Sequence, residues 1–179
     1  MNKNILIVIV NWNGFQVLDD CMKSINSINY NNYQVLIIDN NSNKKLLYNY
    51  EKYKNIDIIK LDKNYGFGTA INKALMLYDN YDYEYLLLIN NDIVLDKNIL
   101  KEFINNINIY GKKNIFGPKI YYYKNPSLIW YAGGEIDLSR LKIKHIGIRQ
   151  EDNYQFSTSS ITDYISGCCM FISKKIFFI

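Results

Sequence analysis

The sequence has one histidine, three cysteines and no apolar run long enough to cross a bilayer. A Ser or Cys hydrolase needs its nucleophile beside a histidine base. The single candidate, His145, lies in the basic, strand-like stretch RLKIKHIGIR (140–149) and reads as a surface or edge residue. Cys168 and Cys169 sit in an apolar run where they are expected to pack, and Cys21 reads as a core thiol on a helix. Their number and spacing fit neither a disulfide framework nor a metal cluster, so a reducing cytoplasm is expected. The opening MNKNILIVIV is too short for a span and lacks a small-residue cleavage site, which favours a first strand over a signal peptide. Nicotinamide-binding folds place G-x-G-x-x-G directly after that strand. Here the place holds NWNG (11–14), the later GFG (66–68) lacks the third glycine, and no Walker-type run exists.

What is present fits one domain. With 179 residues the chain can bury a core without staples, and no linker, repeat or low-complexity tract divides it. The net charge of +4 is spread out, apart from residues 140–149. That balance suits an anionic substrate or a membrane surface and calls for no nucleic-acid partner.

Apolar runs at 5–10, 33–39, 56–61 and 86–95 read as strands, with helical stripes between them. The stripes are Leu18, Cys21, Met22, Ile25 and Ile28; Leu46, Leu47, Tyr50 and Tyr53; and Ala70, Ile71, Ala74, Leu75 and Tyr78. Asp96 is placed to cap a fourth helix with the face Ile99, Leu100, Phe103, Ile104 and Ile107, and Gly111 to end it. Strands alternating with helices predict an α/β fold, a mostly parallel Rossmann-like sheet with helices on both faces. After about residue 114 the pattern becomes short strands and turns, an irregular β extension. The expected division is 1–113 and 114–179 within a single domain.

Ligands of open parallel sheets bind beyond the carboxyl ends of the strands. Those ends carry Asn11, Trp12, Asn13 and Gly14, then Asp39 to Ser42, then Asn64 to Gly68, then Asn90, Asn91 and Asp92. Each cluster alone is an ordinary turn former, and Asp39 or Asp92 alone is a helix-cap candidate. Turns, however, need no aromatic in the first cluster and no carboxylate in the second and fourth. A nucleoside diphosphate accounts for all four. Trp12 offers a stacking face for a base, a contact of about 1–3 kcal/mol in nucleic-acid systems. Asp39 can accept a hydrogen bond from a pyrimidine imide. Gly66 and Gly68 let the backbone pass close to a ligand at a helix amino end. Asp92 can hold Mg²⁺ or Mn²⁺ through one oxygen, with diphosphate and water completing the shell.

With these motifs in order, VIVNWNG, VLIIDNNS, NYGFGTAIN, LLLINNDIVL and DYISGCCMFI, the chain resembles the inverting family 2 glycosyltransferases of the glycosyltransferase A fold, most nearly their rhamnosyltransferase-like branch. The resemblance implies a nucleotide-diphosphate sugar donor of UDP or dTDP type and transfer with inversion to a glycan or lipid-linked acceptor. It puts Asn11, Trp12, Asn13, Asp39, Asn64, Gly68, Asn72 and Asn91 around the nucleotide. Asn90, Asn91 and Asp92 occupy the family's Asp-X-Asp metal motif with only the last carboxylate kept, so Asp92 is the implied ligand of Mn²⁺ or Mg²⁺. Ser166, Gly167 and Cys168 correspond to the acceptor-side segment, Gly167 leaving room for the sugar. The implied setting is polysaccharide or cell-envelope synthesis in the cytoplasm, at the inner face of the membrane. Peripheral membrane association and a homodimer are left open.

One departure is expected to matter. In the family an acidic Glu-Asp pair follows the acceptor segment and supplies the general base, whereas this sequence runs to SKKIFFI, so the base is expected beyond Ile179. Asp163 precedes the position the family uses. The alternative expectation is a catalytically impaired donor-binding fragment or subunit.

Overall fold

The computed structural model describes residues 3–43, 53, 55–78 and 81–178. Four strands run parallel: Ile5–Asn11 (β1), Tyr33–Asp39 (β2), Ile56–Lys60 (β3) and Tyr85–Asn90 (β4). A fifth, Cys169–Ser173 (β9), joins the edge of β4 antiparallel, giving the order β3-β2-β1-β4-β9. Between β4 and β9 come two small antiparallel sheets. Ile120–Tyr122 (β5) pairs with Asn125–Tyr131 (β6), and Gly134–Asp137 (β7) with Lys142–His145 (β8). This is the mostly parallel α/β sheet with a β extension that the residue pattern predicts.

The strands are apolar on both faces because both faces are covered. With the side-chain period of two, Ile5, Ile7, Ile9, Val35, Ile37, Leu87 and Ile89 pack on one side against Phe15–Asn26 (α1) and Ile99–Tyr110 (α3). Leu6, Val8, Leu36, Ile38, Leu86 and Leu88 pack on the other side against Phe67–Leu77 (α2). The expected helical stripes are the buried ones: Leu18, Cys21, Met22 and Ile25 on α1, and Ala70, Ile71, Ala74 and Leu75 on α2. Each fully buried Leu or Ile contributes about 1.5–3 kcal/mol relative to exposure.

Three details differ from the expectation. Asp96 does not cap α3: Asn98 precedes the helix, and the Asp96 carboxylate accepts the Asn98 N–H at 2.7 Å in the turn before it. Gly111 does end α3, with φ 87° and its N–H on Ile107 O at 2.8 Å. A short helix, Lys174–Phe177 (α4), follows β9, and its Ile176 and Phe177 pack against the α2 side of the sheet. The stripe at Leu46, Leu47 and Tyr50 lies outside the described residues, and Tyr53 lies on a bend.

Strand β9 is bound into the core through Phe171, fully buried and stacked on Phe103 at 4.7 Å and Tyr85 at 5.4 Å. Phe171→Ala is expected to cost about 3–5 kcal/mol, read as a lowered midpoint in urea denaturation. A loss below 1 kcal/mol would mean that β9 is not part of this core.

Candidate functional site

The parallel register sets the site. β1 lies level with β2 from Ile5↔Tyr33 to Asn11↔Asp39, and with β4 from Ile5↔Tyr85 to Val10↔Asn90, so the polar ends of three strands finish side by side. β3 finishes beside them, with Lys60 opposite Asp39. Because β9 runs antiparallel to β4, the residues before it, Ser166 to Cys168, arrive at that same edge.

A network of amides fastens these ends together. Asn11 is fully buried; its Oδ1 accepts Asn91 Nδ2 at 2.8 Å, and its carbonyl accepts the Asn40 N–H at 2.8 Å. Gly14 packs so close that a Cβ there would lie 2.2 Å from Asn91 Nδ2. Asn13 adopts φ 56°, a left-handed conformation that asparagine tolerates. It donates its N–H to Ser42 Oγ at 2.9 Å and accepts the Asn43 N–H on Oδ1 at 2.9 Å. Asp39, 2 % exposed, accepts the Ser42 N–H on Oδ1 at 3.0 Å.

Asn40 organises the third cluster. Its Nδ2 donates to Asn64 Oδ1 at 2.8 Å and Gly66 O at 3.2 Å, while its Oδ1 accepts the Tyr65 N–H at 2.9 Å. Asn64 also accepts the Gly66 N–H at 2.8 Å, so its amide oxygen is committed to the loop. Gly66, at φ 74°, precedes α2, and Gly68 and Asn72 lie exposed on that helix. Neither residue is drawn into the amide network.

In the fourth cluster, Asn90 faces the segment 166–168. Its N–H donates to Cys168 O at 3.0 Å and its Nδ2 reaches Cys168 Sγ at 3.6 Å. Ser166 is 8 % exposed and accepts the Cys168 N–H on Oγ at 3.3 Å, whereas Gly167 is exposed with open space where a Cβ would stand. Trp12 is 56 % exposed. Asp92 is exposed and has neither a hydrogen bond nor an ion pair to any described residue, so its carboxylate is not spent on a helix cap.

The structure thus gathers Asn11, Trp12, Asn13, Asp39, Asn64, Asn91, Asp92 and Cys168 along one edge. Asn40 and Ser42, inside the second cluster, were not singled out from the sequence as ligand contacts, and they serve as internal fasteners. No cluster of three His, Cys, Asp or Glu side chains able to hold a metal exists among the described residues. The exposed, unpaired Asp92 carboxylate still fits Mg²⁺ or Mn²⁺, which are commonly held by one or two carboxylates together with substrate phosphates.

His145 is a half-buried edge residue at the end of β8, as the sequence suggests. It packs edge-on against Trp130 at 4.5 Å and Tyr131 at 5.2 Å, and its Nδ1 is buried without a hydrogen bond. Of the Cys168–Cys169 pair only Cys169 is buried; Cys168 is half-buried.

The comparisons with known proteins agree with this architecture. The family profile described as glycosyl transferase family 2 matches residues 6–178. No curated protein is significantly similar in sequence. Among solved structures, S. aureus TarS 1–349 in complex with UDP-GlcNAc superposes with TM-score 0.58 at 20 % identity, covering 65 % of this chain and 34 % of that one. The mannosyltransferase PcManGT from Pyrobaculum calidifontis, in complex with GDP-Man and Mn²⁺, gives 0.63 at 12 % identity, covering 98 % and 46 %. GalNAc-T7 with UDP, GalNAc and Mn²⁺ gives 0.75 at 17 % identity, covering 99 % and 36 %. The chain spans less than half the length of each. At these identities the likeness is one of fold.

The thiols report on the packing of this edge. Burial, with a smaller contribution from the Asp92 charge, pushes Cys21 up to about 12, and burial likewise raises Cys169. A native labelling assay near pH 8 is expected to modify Cys168 alone, and all three cysteines after unfolding. Because the raised groups stay neutral in the folded chain while they ionise near 9 when unfolded, their contribution to stability is full below pH 9 and is lost as the pH rises above it. Rapid labelling of all three thiols in the native protein would contradict this packing.

Proposed function

The chain belongs to glycosyltransferase family 2, and from that premise we propose that it binds a uridine or thymidine diphosphate sugar with Mn²⁺ or Mg²⁺ and transfers the sugar, with inversion, to a glycan or lipid-linked acceptor. One observation carries the reading: four parallel strand ends bring an exposed tryptophan, a buried aspartate and an unpaired aspartate to a single sheet edge.

In this reading the Trp12 ring stacks on the base and Asp39 accepts its imide N–H. The loop at Asn64 to Gly66, held by Asn40, borders the nucleotide with Gly68 and Asn72. Asn91, fixed by Asn11, sets the position of Asp92, and Asp92 with the diphosphate holds the cation. The bound cation neutralises charge that develops on the leaving diphosphate. Ser166, Gly167 and Cys168, tethered to Asn90, form the acceptor side of the same cleft. Residues 1–113 thereby serve the donor and 114–179 the acceptor, within one domain. Support for a divalent metal and a sugar nucleotide comes from the related folds that carry UDP-GlcNAc, or GDP-Man with Mn²⁺. The rhamnosyltransferase-like branch, polysaccharide or cell-envelope synthesis and a cytoplasmic site at the membrane's inner face rest on the sequence motifs. Three free thiols and the lack, among the described residues, of a helix long and apolar enough to cross a membrane accord with that location.

A second reading, a donor-binding subunit without its own base, is favoured by Asp163. This carboxylate is the nearest before Gly167 in sequence, and it is engaged by the Ile136 N–H at 2.8 Å. In that second reading this chain alone transfers sugar slowly or not at all, and multiple turnovers with an acceptor would contradict it.

Calorimetry tests the donor site. UDP or dTDP is expected to bind more tightly with Mn²⁺ than without, Asp92→Ala to abolish the metal effect with the circular dichroism unchanged, and Trp12→Ala to weaken binding by about 1–3 kcal/mol. Absence of metal-dependent binding of either nucleotide would remove the donor-site reading.

A further inference from the structure

The hairpin of β7 and β8 is built into the protein at its base and unsupported at its tip. At the base Gly134 is buried against the Tyr164 ring, its N–H donates to Thr162 Oγ1 at 2.5 Å, and His145 opposite it packs on Trp130. Outward from there the apolar side chains become steadily barer: Ile136 is 37 % exposed, Ile143 72 %, Leu138 79 % and Leu141 89 %. Ile136 and Ile143 are directly opposed in the ladder and so share a face, and the turn beyond them exposes Leu138 and Leu141. The other face carries the Glu135–Lys144 ion pair at 3.2 Å and the opposed Asp137 and Lys142.

The tip is ordered rather than slack. Asp137 Oδ1 accepts the N–H groups of Ser139 and Arg140, at 3.0 and 3.1 Å, and the Ser139 hydroxyl at 2.6 Å. Leu141 is held at φ 50°, a region where a bulky apolar residue is an outlier. The turn therefore presents two leucines to solvent at a fixed angle, and nothing described covers them.

Charge identifies the occupant. Residues 134–149 carry Arg140, Lys142, Lys144 and Arg149 against only Glu135 and Asp137. Lys142 and Arg149 have no carboxylate partner among the described residues, and Arg140 reaches Asp137 only at 3.7 Å on the surface. A second copy of a chain of net charge +4 would bring these cations against their own kind. An apolar layer roofed by negative charge matches both the stripe and its rim. We propose that the β7–β8 hairpin docks the protein on an anionic lipid bilayer. Leu138 and Leu141 enter the acyl boundary, and Arg140 and Lys142 lie among the headgroups with their aliphatic stems along the apolar surface.

Vesicle flotation of the whole chain tests this, and it needs no nucleotide, so its outcome is separable from the donor-site reading. The protein is expected to float with phosphatidylglycerol-containing vesicles, less with phosphatidylcholine alone, and less again at high salt. Leu138→Ser with Leu141→Ser, and separately Arg140→Glu with Lys142→Glu, are each expected to weaken binding by roughly tenfold or more. Both variants change exposed side chains, so the denaturation midpoint should not move. No binding to anionic vesicles, or binding that both variants retain, overturns the proposal. So does concentration-dependent self-association that the leucine variant abolishes, because the stripe would then belong to a second copy.

Discussion

Everything at the candidate site depends on the parallel pairing of β1 with β2 and β4. The pairing is in register along the whole of β1, and the apolar positions that specify it are buried on both faces, so a slip of one residue would exchange the α1 side with the α2 side throughout. That penalty pins the register, and the pinned register makes Asn11, Asp39 and Asn90 end at one level. The core thereby positions polar residues with which it shares no contact chemistry.

Polar groups at such an edge are costly unless they are satisfied. Asparagine solves most of the problem here because its amide donates and accepts together, so Asn11 joins Asn91, Asn40 joins the loop at 64–66, and Asn13 joins Ser42 and Asn43. Two of the groups without a partner differ in kind. Asn11 Nδ2 is buried without a partner, and the Asp92 carboxylate is exposed without one. Asp96 is instead taken up by the turn before α3, which separates the two nearby aspartates although the sequence offered both as helix caps.

The legible part of the fold was the part governed by period. Continuous β-branched runs at Ile5 to Val10 and Val35 to Ile38 allow little but a strand covered on both sides, and the stripe on α1 admits one buried face. The four strand-end clusters followed from the same reasoning. Contacts between distant segments were not legible. Nothing local in HIGIR says that His145 meets Trp130 and Tyr131, nor in DNNS that Asn40 bonds residues more than twenty positions onward. Asp96 was misplaced by two residues because an aspartate can cap a turn as readily as a helix.

The direction of β9 completes the logic. A parallel strand at the edge of β4 would have delivered its carboxyl end, Ser173 and α4, to the ligand side. The antiparallel strand delivers its amino end, so Ser166 to Cys168 meet Asn90 there while α4 is carried to the opposite end of the sheet. An antiparallel strand re-enters the sheet at the end where β4 leaves it, so no crossover is required, and the connection between them holds α3 and the two small antiparallel sheets instead. The β7–β8 hairpin is a product of that excursion. A connection far longer than an antiparallel return needs has material to project, and here it projects leucines and cations together.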